Sequence, residues 1–397
     1  MKTIAVINDA YHYTNGIKTI YENIVKYEIE KYKDKVNLIV VHLTKDFKEE
    51  FKKIKDNVYY YTHKPKIGFK FPLYPDLLVA YARKDIIETI EGHLGGKIDL
   101  IHIATQAFLG KSVAKIVKNK NIPLVGFYHT FIPKYVEHYL PGKAPEKGIR
   151  KRLYNYIGKL IDKKTFKYCD KMICHTPRTG EFIKKYLKDC EIFYITEFLE
   201  MSNINDFKNS GNLKKIKNSK KSKLKLGYIG RISKEKSVVK LLKHNEYLKE
   251  NNIELHLLGD GPLYNKLSKK YKNNSEIIFY GCLKDETFLE TVAGLDFNII
   301  TALNETLNMT LLETGALGVP SVAIRNTSPS DVINQYDSGL IIDKLENTDW
   351  IDKLIEIHSN KSEYNKLTQN SIKMAEENSL SIGAKKLIDI WLETTSK

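Results

Sequence analysis

Cysteine is scarce in this sequence. There are four, Cys169, Cys174, Cys190 and Cys282, with no CxxC pair and no spacing that suggests a disulfide framework. That excludes a small stapled secreted fold and suits a reducing cytoplasm. Cys174 stands beside His175, a pair read as the end of a strand rather than as metal ligands. Long apolar runs are also missing. The longest, NLIVVHL (37–43) and FNIITAL (297–303), have the length of a strand, so no membrane-crossing helix is expected. The opening MKTIAVIND turns polar by its eighth residue, too early for a signal-peptide core, and no cleaved leader is expected. Arginine is rare within a basic chain. Only six of the 64 basic residues are Arg (Arg83, Arg150, Arg152, Arg178, Arg231, Arg325), against a net charge of +16. Each planar guanidinium fork therefore matters, because that geometry suits phosphate. The lysine excess predicts attraction to anionic partners: nucleic acid, anionic lipid or a phosphorylated substrate. Nucleic acid explains the charge and nothing else, since the aromatics mark no stacking platform.

What is present is an alternation of short β-branched runs with stretches of helical period, over a length that fits two domains. Strands are expected at 3–7, 36–43, 57–62, 99–104, 123–128 and 171–176, with a helix at 18–32. A second series opens at LKLGYIG (224–230) and continues at 253–259, 276–281, 296–301, 320–324 and 339–343. Each series starts with a strand running into a loop and a helix, which predicts an α/β protein of two Rossmann-like units. Between them NSGNLKKIKNSKKSK (209–223) is polar, Lys-rich and without period, and reads as a hinge. The expected organisation is a Rossmann-like domain at 1–205, a linker at 206–223, a second Rossmann-like domain at 224–380, and a terminal helix at 381–397 packing back on the first domain.

In such sheets ligands bind beyond the carboxyl ends of the strands, so the post-strand loops are the place to look. The first carries Gly16 just before a helix; taken alone it reads as an ordinary turn. His129 ends the strand PLVGFYHT, followed by Thr130. GRISKEK (230–236) sets Gly230, Arg231 and Lys236 in the first loop of the second series, where two cations would stabilise a departing phosphate. LLGDGP (257–262), with Gly259, is at least a tight turn. The stretch NETLNMTLLETGALGVP (304–320) holds Glu305 and Glu313. With a helix starting near Leu307, the amides of Leu307, Asn308 and Met309 are free, Glu305 precedes them and Glu313 lies about two turns along. Two carboxylates placed so would each accept a pair of hydroxyls.

Taken in order and spacing, Gly16, YHT (128–130), GRISKEK, LLGDGP and ETLNMTLLETGALGVPSVA (305–323) resemble family-four glycosyltransferases, retaining enzymes of the GT-B fold, in which two Rossmann-like domains face each other across a cleft. YHTFIPKYVEHY (128–139) is similar to the corresponding segment of diacylglycerol glucosyltransferases and the related sulfoquinovosyl- and mannosyltransferases. The resemblance implies that Arg231 and Lys236 hold the donor diphosphate and that Gly16, Gly230, Gly259 and the amides of Leu307, Asn308 and Met309 line the donor. It implies Glu305 at the sugar hydroxyls, Glu313 at the ribose, and His129 near the reacting carbon. It implies front-face attack with retention, no bound metal and no cofactor beyond the nucleotide-sugar donor, a UDP-sugar in preference to a GDP-sugar. Three places depart from the family: Leu307-Asn308 stands for the usual Phe-Gly, TEFLEMSNIND (196–206) for an Asn-Gly motif, and RNTSPSD (325–331) for a Gly-rich turn.

Residues 64–84 mix lysine with Phe, Tyr and Leu. Residues 147–167 are strongly basic, with apolar positions at helical spacing. Both suit an anionic leaflet, although either is also compatible with a helix facing the core. Together they predict a lipid hydroxyl acceptor such as diacylglycerol or a glycolipid, and a cytoplasmic protein on the inner face of the cell membrane. A soluble glycosyltransferase, a sugar-nucleotide epimerase and a non-catalytic nucleotide-sugar-binding module stay open as alternatives.

Overall fold

The β-branched runs form strands because they are buried on both faces, as parallel strands between helices must be. In β1 (Lys2–Asn8) six of seven residues are buried. The structure, a computed structural model, describes residues 1–396 except 10–15, 72–73, 107, 135–147, 188–189, 197 and 220–222, with residues 71 and 74–77 described by backbone alone. Part of the YHTFIPKYVEHY segment, the loop before Gly16 and three lysine-rich positions of the expected hinge thus lie outside the described residues. The chain forms two units, Met1–Phe198 with Leu380–Lys397, and Leu199–Ser379.

In the first unit β2 (Val36–His42), β3 (Glu50–Lys55), β4 (Val58–Thr62), β5 (Ile67–Phe71), β6 (Tyr74–Tyr81), β7 (Leu100–Ile103), β8 (Leu124–Tyr128), β9 (Lys171–Cys174) and β10 (Glu191–Tyr194) follow β1. Eight of them form one sheet in the order β10-β9-β8-β7-β1-β2-β4-β3, and β5-β6 pair apart as a hairpin. β1 lies between β2 and β7, both parallel to it, so the order reverses at β1. The final helix, Leu380–Thr394, belongs to this unit: Trp391 is fully buried and its indole N–H donates to His102 Nδ1 at 3.2 Å, while Glu393 pairs with the buried Lys171 at 2.9 Å.

The second unit holds β11 (Leu224–Ile229), β12 (Ile253–Leu258), β13 (Ile277–Gly281), β14 (Phe297–Ile300), β15 (Ser321–Ile324) and β16 (Gly339–Ile342). Its all-parallel sheet runs β13-β12-β11-β14-β15-β16, with the reversal at β11. A reversal of strand order opens a crevice for ligand, which makes the loop after β11 the first place to search.

Several elements differ from the expectation. β3 is an antiparallel edge strand whose three lysines hide its strand character; charge on an edge blocks stray pairing. β10 is four residues long, too short to show a period. The helix at 18–32 is α-helical only over Gly16–Asn23, then passes through a π turn to a 3₁₀ turn ending at Tyr32. The stretch 209–223, read as a hinge without period, contains a helix at Asn212–Asn218 and lies in the second unit. Its apolar stripe is only Leu213 and Ile216, packed on a core cluster of that unit, which is too little to register as periodicity.

Candidate active site

β11 delivers Gly230 and Arg231 to the crevice. Gly230 has φ +147°, a conformation that excludes a side chain. The next loop packs on this one. Gly259 has φ +136°, and a Cβ there would lie 2.1 Å from the Gly230 carbonyl oxygen. Gly230 N–H donates to Leu258 O at 2.9 Å and Ile232 N–H to Asp260 O at 2.9 Å, so the GRIS and GDGP loops are stitched along their backbones. The role of Gly259 visible here is this close approach.

Two hydroxyls that the sequence reading passed over hold the loop after β11. Tyr228 Oη donates to the Arg231 carbonyl at 2.7 Å, and Thr301, at the end of β14, donates to the Lys236 carbonyl. Both sit at strand ends beside the expected site, and that position was the available signal. The Arg231 side chain is exposed and makes no ion pair among the described residues. Lys236 and Glu305, expected to meet different parts of a ligand, are paired with one another by a direct Nζ to Oε1 contact. Burial works against the Lys236 charge, yet Glu305 outweighs it and the net pKa is raised.

The helix beyond Glu305 starts at Met309 rather than near Leu307. Asn308 is its N-cap: the side-chain oxygen accepts from Leu311 N–H at 3.1 Å and from Thr310 Oγ1 at 2.5 Å. The first helical N–H groups are therefore those of Met309 and Thr310. The Leu307 side chain is buried, and the Asn308 side chain, standing where the family usually has glycine, is tied back along its own helix. Glu313, one turn further, has no hydrogen-bond or ion-pair partner among the described residues. Its side chain is half-buried, and dense protein packing around the carboxyl pushes its pKa up to about 7 by desolvation.

In the first unit Gly16 opens the helix Gly16–Asn23, and no atom of the described residues lies within 4 Å of where a Cβ would be, so packing among them does not require the glycine. Asp9, at the end of β1, accepts from Leu109 and Gly110 N–H at 2.7 and 3.1 Å and from Thr105 Oγ1 at 2.8 Å. The start of the helix Phe108–Val117 is thereby filled by the chain's own carboxylate. His129 is buried, stacked on Phe127 with ring centroids 3.9 Å apart. His175 is more than a strand end: it bonds to His129. Among the described residues no group of His, Cys, Asp or Glu is arranged to hold a metal ion, and no helix is long and apolar enough to cross a membrane.

The two basic, aromatic stretches fold differently. In the first, the strands Ile67–Phe71 and Tyr74–Tyr81 pair antiparallel, burying Leu78, Val79 and Ala80 and exposing Ile67 and Phe69. The helix Ile149–Phe166 buries Gly158, Asp162, Thr165 and Phe166. Its other side exposes Ile149 (84%), Leu153 (51%) and Tyr156 (60%) among the exposed Arg152, Lys159 and Lys163.

Two α/β units, each built on a largely parallel sheet whose strand order reverses at its first strand, have the architecture of the GT-B fold. Over its whole length the chain is similar to sucrose-phosphate synthase from Thermosynechococcus elongatus (TM-score 0.73, 12% identity, all of both chains covered). It is also similar to Anabaena HepE in complex with UDP and glucose (TM-score 0.65, 13% identity, 99% of this chain and 100% of that one). The family model for glycosyl transferases group 1 matches residues 209–374, and that for glycosyltransferase family 4 matches residues 28–195. The chain belongs to the family-four glycosyltransferases of the GT-B fold. Among curated relatives, the alpha-monoglucosyldiacylglycerol synthase of Streptococcus pneumoniae is 27% identical over 63% of this chain and 55% of its own. The sulfoquinovosyl transferase SQD2 of Arabidopsis thaliana is 22% identical over 83% and 60%. The GDP-mannose-dependent alpha-mannosyltransferase of Corynebacterium glutamicum is 25% identical over 62% and 56%. The matched region thus spans little more than half the length of these relatives.

Proposed function

We propose that the protein transfers a hexose, with retention and without a metal, from a nucleotide-diphosphate sugar to a membrane lipid acceptor such as diacylglycerol or a glycolipid. The exposed apolar row Ile149, Leu153 and Tyr156 carries the lipid part of this reading. Their spacing places them on one side of the helix, and the flanking Arg152, Lys159 and Lys163 add cations at the level of headgroups. Buried, this row would be core; exposed among cations, it suits the interface of an anionic leaflet and supports reading the protein as peripheral to the inner face of the cell membrane.

On this reading the second unit holds the donor. Arg231 and Lys236 take the diphosphate, the amides at the start of the helix Met309–Ala316 attend to it, and Glu313 accepts the ribose hydroxyls. Glu305 serves the sugar hydroxyls while holding Lys236 charged. Cleavage of the anomeric bond puts charge on the departing phosphate, and fixed cations there lower the barrier because they need not reorganise. That phosphate takes the proton of the attacking hydroxyl on the same face. The donor is read as a UDP-sugar in preference to a GDP-sugar; HepE binds UDP, whereas one relative is named for GDP-mannose.

The test is nucleotide release against a panel of UDP-, GDP- and ADP-sugars, with and without anionic vesicles containing diacylglycerol. Release that needs one donor and the vesicles, and that Leu153→Glu with Tyr156→Glu abolishes, supports the reading. Release without lipid moves the acceptor to a soluble molecule, an outcome in keeping with the full-length likeness to sucrose-phosphate synthase. No release with any donor leaves nucleotide-sugar binding alone.

A further inference from the structure

Two histidines at neighbouring strand ends of the first unit are bonded to one another. β8 and β9 are parallel with Tyr128 opposite Cys174, so the residues that follow, His129 and His175, stand side by side. His129 Nδ1 lies 2.9 Å from His175 Nε2, and His175 Nδ1 lies 3.0 Å from the Ile195 carbonyl oxygen.

The chemistry of these atoms dictates where the hydrogens are. A carbonyl oxygen only accepts, so His175 Nδ1 carries a hydrogen. Both rings are buried. Desolvation pushes the pKa of His175 down to about 4, against a smaller upward pull from Ile195. Desolvation, then the neighbouring His175 and His102, push that of His129 well below the ordinary histidine value. Each ring is therefore neutral at pH 7, with one N–H. With its hydrogen on Nδ1, His175 offers Nε2 as an acceptor. The hydrogen between the rings then belongs to His129 Nδ1, and His129 Nε2 is left able to accept but not to donate.

We propose that His175, oriented by the Ile195 carbonyl, is a positioning residue that locks His129 in its Nδ1–H tautomer, so that His129 meets a sugar hydroxyl only as a hydrogen-bond acceptor. The substrate in this statement rests on the glycosyltransferase reading; the positions of the hydrogens do not. His129 so locked cannot deliver a proton to the departing phosphate. That leaves the phosphate to take its proton from the acceptor hydroxyl.

The experiment uses the full chain labelled with ¹⁵N-histidine. A long-range ¹H–¹⁵N correlation at pH 7, with signals assigned from His129→Gln and His175→Gln, reads each tautomer. Nδ1–H forms of both rings are expected; a hydrogen on Nε2 of His129 overturns the proposal. His175→Gln keeps an acceptor oxygen and should retain nucleotide release within roughly threefold of wild type. His175→Leu removes it, and release should fall by on the order of tenfold as an Nε2–H form of His129 appears. Wild-type release and an unchanged His129 tautomer in His175→Leu overturn the positioning role. If no donor is turned over, the enzymatic reading fails separately, and the wild-type tautomer still decides this inference.

Discussion

Lys236 and Glu305, sixty-nine positions apart, hold each other in a half-buried ion pair beside the loop after β11. Neither residue is therefore a free ligand group. A donor entering there meets a cation already committed to a carboxylate, and a carboxylate whose geometry a cation has set. Arg231 differs, being exposed and without an ion pair among the described residues.

The contrast separates two variants. Arg231→Ala should leave the melting temperature unchanged while kcat/KM falls by about 10²–10³-fold, the scale for losing one transition-state charge stabiliser. Lys236→Met should lower both, because it also strands Glu305. Equal melting losses in the two variants would contradict this division.

Glu313 bears on nucleotide binding. Its carboxyl is raised to about 7 by desolvation, so near pH 6.5 much of it is protonated in the free protein. Ribose hydroxyls donating to it favour the ionised form, so binding should release protons. Calorimetric titration with UDP in buffers of different ionisation enthalpy measures that release. Glu313→Gln should abolish it and weaken binding, and a wild-type protein without release would remove Glu313 from the ribose site.

Asp162 tests the linkage of stability to pH. It is buried on the helix Ile149–Phe166, accepts from Tyr128 Oη and Tyr186 Oη at 2.8 Å each, and is raised to about 7, by desolvation above all. Below about pH 4 both folded and unfolded states are protonated. Between about 4 and 7 the unfolded chain ionises while the folded one keeps its proton, so this group makes stability fall as pH rises. The melting temperature of Asp162→Asn relative to wild type should therefore climb across that window and level off above it.

Trp391 and His102 are the third stability test. The indole donates only, so His102 Nδ1 must accept and His102 Nε2–H, at 2.6 Å, must donate to Tyr21 Oη. Trp391→Phe leaves one buried ring nitrogen unsatisfied in either tautomer. It should cost roughly 1–3 kcal/mol by denaturant unfolding of the first unit. No loss would mean that the ring finds another donor.

The strands with dense Val and Ile were legible because burial on both faces demands them, and GRISKEK was legible because arginine is rare here. Other features were not, each for a physical reason. β3 carries its pairing in the backbone while its side chains are lysines. The start of the helix after Glu305 was set two residues early because a cap depends on where the Asn308 side chain turns, and spacing does not record that. The Lys236–Glu305 pair needs the folding of distant loops. His175 looked ordinary because its importance lies in the ring across from it.

The first unit is interrupted: its first 198 residues wait for the segment from Leu380 onward, with the whole second unit between. A ribosome therefore emits the second unit complete while the first still lacks the helix whose Trp391 seals His102 and whose Glu393 meets the buried Lys171. During those seconds of synthesis the early half has an open seam, and the segment from Leu380 onward closes it. Loss of that segment would be felt 289 positions upstream, at the His102 ring that Trp391 holds.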